Sequence, residues 1–465
     1  MSYIYINHLV LEAQSPIAIY TGDREAGFDN QILRDVNGLP YLAATSIAGV
    51  WRHLYQSVLP NGNNKQPNVW FGDQTGKSKL SISSGYLLDS RHKQVKGLWT
   101  KNDIDQDPLL SLLAQTRPLH RERVSLNDRG VANDKAKFDQ ILLPKGMRFC
   151  VTVQWQGEEE AELNEFQTLL NLLESDAFAI GTSTSNGLGQ LSVVGNNANL
   201  IALANNPSAG QELAATRALT QPKANHKASA TAPFAQLSLR ATGTWRFGQG
   251  AHYLSNEAQL ASADILTYSE QNITWQNQQA SIGPSQPVLP GSAIKGVLAH
   301  RFAFHHRRLN QQWAEQLGEA SHQEWSTRPD AANQLFGEAN ESDGTGRVGK
   351  LIFHDASIDD CPKVVRHHNR IDRFTGGVLK GALFSEELLE KPRFTIRISL
   401  RPKAEFNEQE KQALQATFDD LELGLLPLGA STGRGHSLTQ REGNWTINWE
   451  ASEPQQTSTQ QEDFA

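Results

Sequence analysis

An acidic loop at residues 21–35 carries the side chains best suited to act on a phosphodiester bond. It contains two glycines and several carboxylates, and Asp29 follows Gly27 by two residues, ahead of the first predicted helix. A carboxylate on a glycine-flanked loop can hold a divalent cation or orient a 2′-hydroxyl for attack. Acidic loops are more often solvated turns. The loop therefore allows a catalytic and a purely structural interpretation.

Two glycine-rich turns offer a different chemistry, contact with phosphate. The residues concerned are Gly187 and Gly189 in the first turn and Gly433, Arg434 and Gly435 in the second. Glycine lets another backbone approach closely, and the arginine fork and the neighbouring hydroxyls are suited to bind phosphate. The alternative is a helix C-cap that leads through a tight turn into a strand. No Lys-Ser or Lys-Thr ending follows either turn, which argues against a P-loop.

Two arginine-rich segments indicate that the phosphate belongs to a nucleic acid. Their key residues are Arg121, Arg123 and Arg129 in the first segment, and Arg370, Arg373 and Phe374 in the second. Alternating cations followed by a turn predict a projecting hairpin along a phosphate backbone, with the aromatic ring free to stack between bases. A solvated charged hairpin is the alternative. Adjacent histidines at 305–306 and 367–368 lack further ligands at metal-binding spacing, so a metal site is the weaker interpretation.

The helix that begins near Ser292 is the element best placed to seat a phosphate. An extended, proline-bounded segment ends at Pro290, and apolar residues then recur at helical spacing. Ser292 is predicted to cap the first turn. Lys295 follows one turn later, close to free N–H groups that favour an anion. An ordinary amphipathic helix is the alternative.

The motifs described above occur twice in the chain, in the same order. Helix starts, aromatic-glycine motifs, arginine-rich segments and glycine turns recur in one order. The offset is 247 residues between Thr45 and Ser292 at the helix starts, and 246 residues between Gly187 and Gly433 in the glycine turns. Each copy reads strand–helix–strand–hairpin–strand–helix–strand, the split βαβ order of a ferredoxin-like α+β domain. The first copy has Ala48 where the second has Lys295, so its helix start should bind phosphate more weakly, through Arg52.

These patterns predict a first repeat at residues 1–195, a linker at 196–233, a second repeat at 234–447 and a disordered tail at 448–465. The net charge of −7 excludes a general basic coat, so a polyanion must bind to local patches. Two cysteines form no disulfide framework, and no apolar run is long enough to cross a membrane. We therefore expect a soluble cytoplasmic protein.

The motifs of the second repeat resemble those of the RAMP superfamily. They are Pro-Gly-Ser-Ala-Ile-Lys-Gly at 290–296, Arg-Ile-Asp-Arg-Phe-Thr-Gly-Gly at 370–377, Gly-Ala-Leu-Phe at 381–384 and Gly-Arg-Gly at 433–435. More narrowly, they are similar to the crRNA-binding backbone subunits of type III CRISPR effector complexes, which act in antiviral defence. Two fused copies resemble the double-repeat backbone proteins of type III-D-like systems.

The resemblance implies two tandem ferredoxin-like (RNA-recognition-motif-like) domains, each with an inserted thumb hairpin. The implied partners are crRNA, target RNA, a large polymerase-like subunit and other backbone and cap subunits, and no membrane. Asp29 matches the Gly-x-Asp context of a catalytic, metal-binding aspartate. The implied activity is therefore cleavage of target RNA that depends on Mg²⁺ or another divalent cation. The second repeat has no clear Gly-x-Asp.

Two other functions remain open. The protein could bind crRNA without cutting, as a purely structural subunit. It could instead be a metal-independent endoribonuclease that processes crRNA precursors, for which His53 near the first helix is the candidate general base. A thumb-like segment in both repeats favours the backbone interpretation.

Overall fold

Two antiparallel sheets with equivalent strand orders form the frame of the protein. The structure is a computed structural model that describes residues 3–23, 30–59, 65–127, 130–158, 162–218, 232–254, 263–317, 327–338 and 346–452. The architecture is a mixture of α and β structure in which the sheets are antiparallel. Within these residues, none of the helices is both long enough and apolar enough to span a membrane.

The first repeat supplies the first sheet and the helices that cover it. Its strands are β1 (Tyr3–Ala13), β2 (Leu80–Ile82), β3 (Tyr86–Leu87), β4 (Leu119–Leu126), β5 (Ala132–Leu142), β6 (Arg148–Gly157) and β7 (Leu191–Ala202). Its helices, with the one that follows β7, are α1 (Ala44–Val58), α2 (Lys65–Phe71), α3 (Lys101–Gln106), α4 (Pro108–Leu113), α5 (Glu162–Asn171) and α6 (Ala209–Ala218).

The first sheet has the strand order β2-β6-β1-β7, and β3 also pairs with β6. Helix α1 buries Ile47, Trp51, Leu54 and Tyr55, which recur at helical spacing and so form one apolar face. The indole N–H of Trp51 donates to the carbonyl of Leu169, with 2.8 Å between N and O. This bond joins α1 to α5 over the sheet.

The second repeat has the same plan with one added hairpin. Its strands are β8 (Ala235–Ala241), β9 (Thr244–Trp245), β10 (Ser269–Gln276), β11 (Gln279–Leu289), β12 (Leu351–Phe353), β13 (Ala356–Ser357), β14 (Lys363–His368), β15 (Phe384–Glu390), β16 (Arg393–Leu400) and β17 (Thr439–Ile447). Its helices are α7 (Gly291–Leu309), α8 (Asp330–Phe336) and α9 (Glu408–Glu422). Its main sheet has the order β12-β16-β8-β17.

The added hairpin β10–β11 docks on the first repeat. The Ile273 N–H donates to the Lys145 carbonyl at 2.9 Å, and the Trp275 indole N–H donates to the Gly146 carbonyl at 2.7 Å. The Arg148 guanidinium lies 4.1 Å from the Trp275 ring centroid. Ile273 belongs to the apolar core of the first repeat. The two repeats are therefore interlocked by this hairpin.

The described elements run past two of the sequence-based boundaries, the start of the predicted linker and the start of the predicted tail. Strand β7 continues through Ala202, past the boundary at residue 195, because it pairs with the whole length of β1. Helix α6 lies inside the predicted linker, and the Thr216 carbonyl is 3.0 Å from His8 Nε2. Trp449 packs on Phe234, with ring centroids 5.3 Å apart, inside the predicted tail. Residues 219–231 of the linker and 453–465 of the tail lie outside the described residues.

Candidate nucleic-acid interface

A groove of about 1670 Å³ runs between the β4–β5 hairpin of the first repeat and helix α7 of the second. Its charged lining is strongly basic. The cations along it are Arg121, Arg123, Lys295, Arg301, Arg307, Arg308 and Arg328, and the carboxylates among its described residues are Glu122 and Glu315. A concave surface lined by one sign of charge attracts counter-ions of the other sign. The groove is therefore a local basic patch on a chain whose net charge is −7.

Four cations meet at the N-terminal end of α7, and we call them the cation cluster: Arg123, Lys295, Arg328 and Arg401. Burial, with repulsion from the three arginines, lowers the pKa of Lys295 to about 8. Burial and repulsion from Arg121 lower the pKa of Arg123 to about 10. Within the described part of the chain, no carboxylate forms a salt bridge with Lys295 or Arg328. Uncompensated positive charge in a cleft is typical of an anion site.

Helix α7 begins differently from the prediction. Pro290 is the N-cap, Gly291 is the first helical residue, and no side chain caps from the N-cap position. The predicted cap at Ser292 is wrong, because Ser292 is the second residue of the helix and a capping side chain must precede the first. Asp355 Oδ1 accepts the Gly291 N–H at 2.7 Å instead. The half-buried Ser292 lines the groove beside Lys295.

Arg121 lies at the base of the groove and is almost entirely buried. Only 4% of its area is exposed. Its Nε lies 2.6 Å from Glu270 Oε1 and its Nη2 lies 2.5 Å from Asp355 Oδ2. The sequence predicts an RNA contact for Arg121, but two carboxylates of the second repeat neutralise its charge. Arg121 therefore joins the repeats and fixes Asp355 at the start of α7.

Arg123 remains at the groove, whereas Arg52 does not approach it. Arg123 donates to Gln140 Oε1 at 3.1 Å, and its guanidinium lies 5.6 Å from the Phe138 ring centroid. Arg52 donates to the Gly72 carbonyl at 3.0 Å and to Asn68 Oδ1 at 2.6 Å. Arg52 thus braces the turn after α2. Asp29 and Arg129, the other predicted contacts of the first repeat, lie outside the described residues.

The glycine turns correspond in a register two residues away from the one predicted. Ser183 and Gly187 have φ angles of 60° and 77°, and Ser431 and Gly435 have φ angles of 62° and 81°. Each pair flanks one 3₁₀ turn, Thr184–Asn186 or Thr432–Arg434. Gly187 therefore corresponds to Gly435 rather than to Gly433. The left-handed backbone of the turn, not the number of glycines, defines the equivalence.

The two glycine turns differ in exposure. A Cβ atom on Gly187 would lie 2.4 Å from the Phe353 carbonyl oxygen, and one on Gly189 would lie 2.0 Å from the Ile180 carbonyl oxygen. Both glycines are buried, so in this arrangement they serve packing, with Gly187 against the second repeat. A Cβ atom on Gly433 or Gly435 would meet no atom within 4 Å.

Arg434 and the second hairpin form a separate exposed surface. Arg434 pairs with the fully buried Glu386, and its guanidinium lies 4.8 Å from the Phe384 ring centroid. Arg370 and Arg373 are exposed in the loop between β14 and β15. Phe374, at the tip of this loop, is 99% exposed. Asp372 Oδ1 accepts the Phe374 N–H at 2.8 Å and so shapes the tip.

A family model described as the RAMP superfamily matches residues 10–192 and 241–438. The chain belongs to the RAMP superfamily. The two matched regions fall on the two repeats, each with its own sheet. RAMP proteins are generally CRISPR-associated and typically bind RNA. No curated protein matches the chain.

Sequence reasoning missed several groove residues of this RAMP protein. Arg301, Phe304 and Arg308 lie on one side of α7 and line the groove together with Lys295. Their spacing of three or four residues is a signal that the sequence contains. Arg328 gives no such signal, because it is far from Lys295 in the sequence and only the folding of the chain brings the two cations close together.

Possible metal ligands in this RAMP protein are few among the described residues. His120, Glu122 and Asp139 place three donor atoms within 4.8 Å of one another. Glu122 also pairs with Lys137 at 2.9 Å, and exposed acidic groups of this kind commonly hold no ion. His305 Nε2 lies 2.6 Å from Asp420 Oδ2 and so joins α7 to α9. The predicted metal ligand, Asp29, lies outside the described residues.

Proposed function

We propose that this RAMP protein is a two-repeat crRNA-binding backbone subunit of a type III CRISPR effector complex, and that it also cleaves complementary target RNA. The observation that carries the RNA-binding part is the cation cluster. The charges of the cluster oppose one another at Lys295, and neither Lys295 nor Arg328 forms a salt bridge with a carboxylate of the described residues, so an anion such as a phosphodiester relieves the repulsion. A guide RNA supplies such anions at regular intervals.

The topology supports the proposal. The orders β2-β6-β1-β7 and β12-β16-β8-β17 are those expected of ferredoxin-like domains, and a hairpin leaves each repeat between its second and third sheet strands. We assign β4–β5 and β14–β15, with their connecting loops, as the thumbs. The exposed Phe374 then gives the second thumb an apolar wedge for a base step.

The RNA contacts follow from this assignment. Lys295, Arg123 and Arg328 bind phosphate in the groove, and the Ser292 hydroxyl donates to the same backbone. Arg370, Arg373 and Arg434 contact RNA from the second thumb and the second glycine turn. These are contacts with sugar and phosphate rather than with base edges, so they position the guide without selecting its sequence. The other implied subunits would bind along the same guide.

Cleavage depends on Asp29. The ends of its loop lie at the foot of the first thumb, because Tyr20 forms a β-bridge with Ile32 and its hydroxyl donates to the Ile141 carbonyl at 2.9 Å. A bound Mg²⁺ would stabilise negative charge that develops on the scissile phosphate. The chain's own part would be to place the carboxylate beside the target strand.

The test is cleavage of a complementary RNA by the assembled complex. Asp29→Asn keeps the size and polarity of the side chain and removes its charge, and Asp23→Asn is the control on the same loop. We expect Asp29→Asn to reduce cleavage about 100-fold or more at the site facing the first repeat, while guide binding stays unchanged. Full cleavage by a complex that contains Asp29→Asn would mean that another subunit cuts the target, and that this protein is a structural crRNA-binding subunit. Metal-independent cutting of precursor crRNA that is lost in His53→Ala would instead identify a processing enzyme.

A further inference from the structure

The groove has apolar walls as well as basic ones. Five of the large apolar side chains that the described structure leaves exposed line it: Val124, Leu126, Phe138, Phe304 and Trp313. Phe304 is 43% exposed and Trp313 is 44% exposed. Exposed apolar residues are normally scattered, and a concentration of them in one cleft indicates a binding surface.

The position of the aromatic residues relative to the cation cluster suits a nucleotide chain. Phe304 lies about 13 Å from Lys295 along the axis of α7, from a rise of 1.5 Å per residue. Arg307 and Arg308 continue the basic edge beyond Phe304, on the last turn of the helix. All of these side chains line the groove, so a ligand that follows the groove meets cations, then an aromatic side chain, then cations again. Alternation of charge and aromatic surface is typical of proteins that bind single strands.

Phe304 is held in place before any ligand binds. The Arg301 guanidinium lies 4.6 Å from the Phe304 ring centroid, and Arg301 pairs with Asp420 of α9. The ring is thus supported by a cation that is itself fixed to the second repeat. A supported aromatic ring loses little conformational freedom when a base stacks on it.

We propose that Phe304 and Trp313 form a stacking site for unpaired nucleobases, next to the phosphate site of the cation cluster. This inference rests on the proposed RNA-binding function and adds base contact to it. Bases in a duplex are stacked on their neighbours and cannot be presented to the groove, so the site selects single-stranded RNA. It tolerates any sequence, because every base has a face on which to stack.

The experiment measures binding of the purified full-length protein to a short labelled single-stranded RNA and to the same strand with abasic positions. The variants are Phe304→Leu and Trp313→Leu, and Tyr86→Leu is the control for loss of an exposed aromatic ring elsewhere. We expect each groove variant to bind normal RNA about 10-fold more weakly, with an unchanged salt dependence. The abasic strand should bind to wild type and variants equally.

The outcomes separate this inference from the function on which it rests. Normal RNA affinity in both groove variants, or equal losses for normal and abasic strands, overturns the stacking site and leaves phosphate binding intact. Absence of RNA binding by the wild type overturns both. Quenching of a 2-aminopurine base in the RNA by wild type, reduced in Trp313→Leu, supports stacking independently of affinity.

Discussion

Arg121 of the first repeat and Asp355 of the second form a salt bridge of 2.5 Å beneath the groove. Asp355 also accepts the first N–H of α7, and Arg121 also pairs with Glu270. One guanidinium therefore bridges two carboxylates and fixes the helix that carries Lys295. The relationship links the orientation of the repeats to the geometry of the proposed phosphate site.

Removing Arg121 should destabilise the protein strongly. Arg121→Ala leaves Glu270 and Asp355 without their cation, and breaking a buried pair in this way costs about 3–5 kcal/mol. The matched control is Arg347→Ala, whose pair with Asp330 is exposed on both sides and should contribute about 0–1 kcal/mol. Thermal unfolding of the two variants measures the difference. Equal melting temperatures would show that the Arg121 pairs do not hold the repeats together.

The RNA affinity should fall as the pH rises above 8. The pKa of Lys295 is about 8 in the free protein, and a bound phosphate raises it, so binding above pH 8 requires uptake of a proton. Below pH 8 the lysine is already charged and affinity should be constant. Fluorescence anisotropy between pH 7 and about pH 9.5 tests this. Lys295→Arg is the control, because arginine stays protonated throughout; a wild-type affinity independent of pH would refute the assignment.

Lys295→Met should stabilise the RNA-free protein while it weakens RNA binding. The folded-state pKa of Lys295 lies below its ordinary value of 10.5, so the protonated lysine opposes folding at pH 7. We expect a gain of about 1–2 kcal/mol after allowance for partial exposure. The gain should shrink as the pH rises from 8 toward 10.5, since both states then lose the charge. A variant less stable than wild type at pH 7 would contradict this.

Much of the order of helices and strands can be predicted from the sequence, because the spacing of apolar residues and the turn signals are local properties of the chain. Pro290 marks the start of α7, and the strand–helix–strand–hairpin–strand–helix–strand order is present in each repeat. The partners of individual charges are not readable. Arg121 and Arg123 look alike in the sequence, yet one is buried between carboxylates and the other faces the groove. The two arginines differ because the fold brings Asp355 and Glu270 next to Arg121. The cation cluster likewise consists of residues that are distant in the sequence and become neighbours only in the folded chain.

The two glycine turns should respond differently to alanine. Gly187→Ala places a methyl group against the Phe353 carbonyl in a left-handed backbone, so we expect a loss of about 2 kcal/mol or more and weaker contact between the repeats. Gly433→Ala has open space and no positive φ, so it should change stability by about 0.5 kcal/mol at most. Thermal unfolding compares the two. Similar losses in both variants would mean that the first turn is not packed as described.

The most direct test of RNA binding by the cation cluster is the salt dependence of affinity for single-stranded RNA. Wild type is compared with Lys295→Ala/Arg328→Ala, and with Lys79→Ala/Lys350→Ala as a control for loss of two cations that pair with carboxylates elsewhere. We predict that the groove variant binds more weakly, and that its slope of log K against log salt is smaller by about 1.4, or about 0.7 for each lost phosphate contact. A groove variant with the wild-type affinity and slope would show that the cation cluster does not bind RNA.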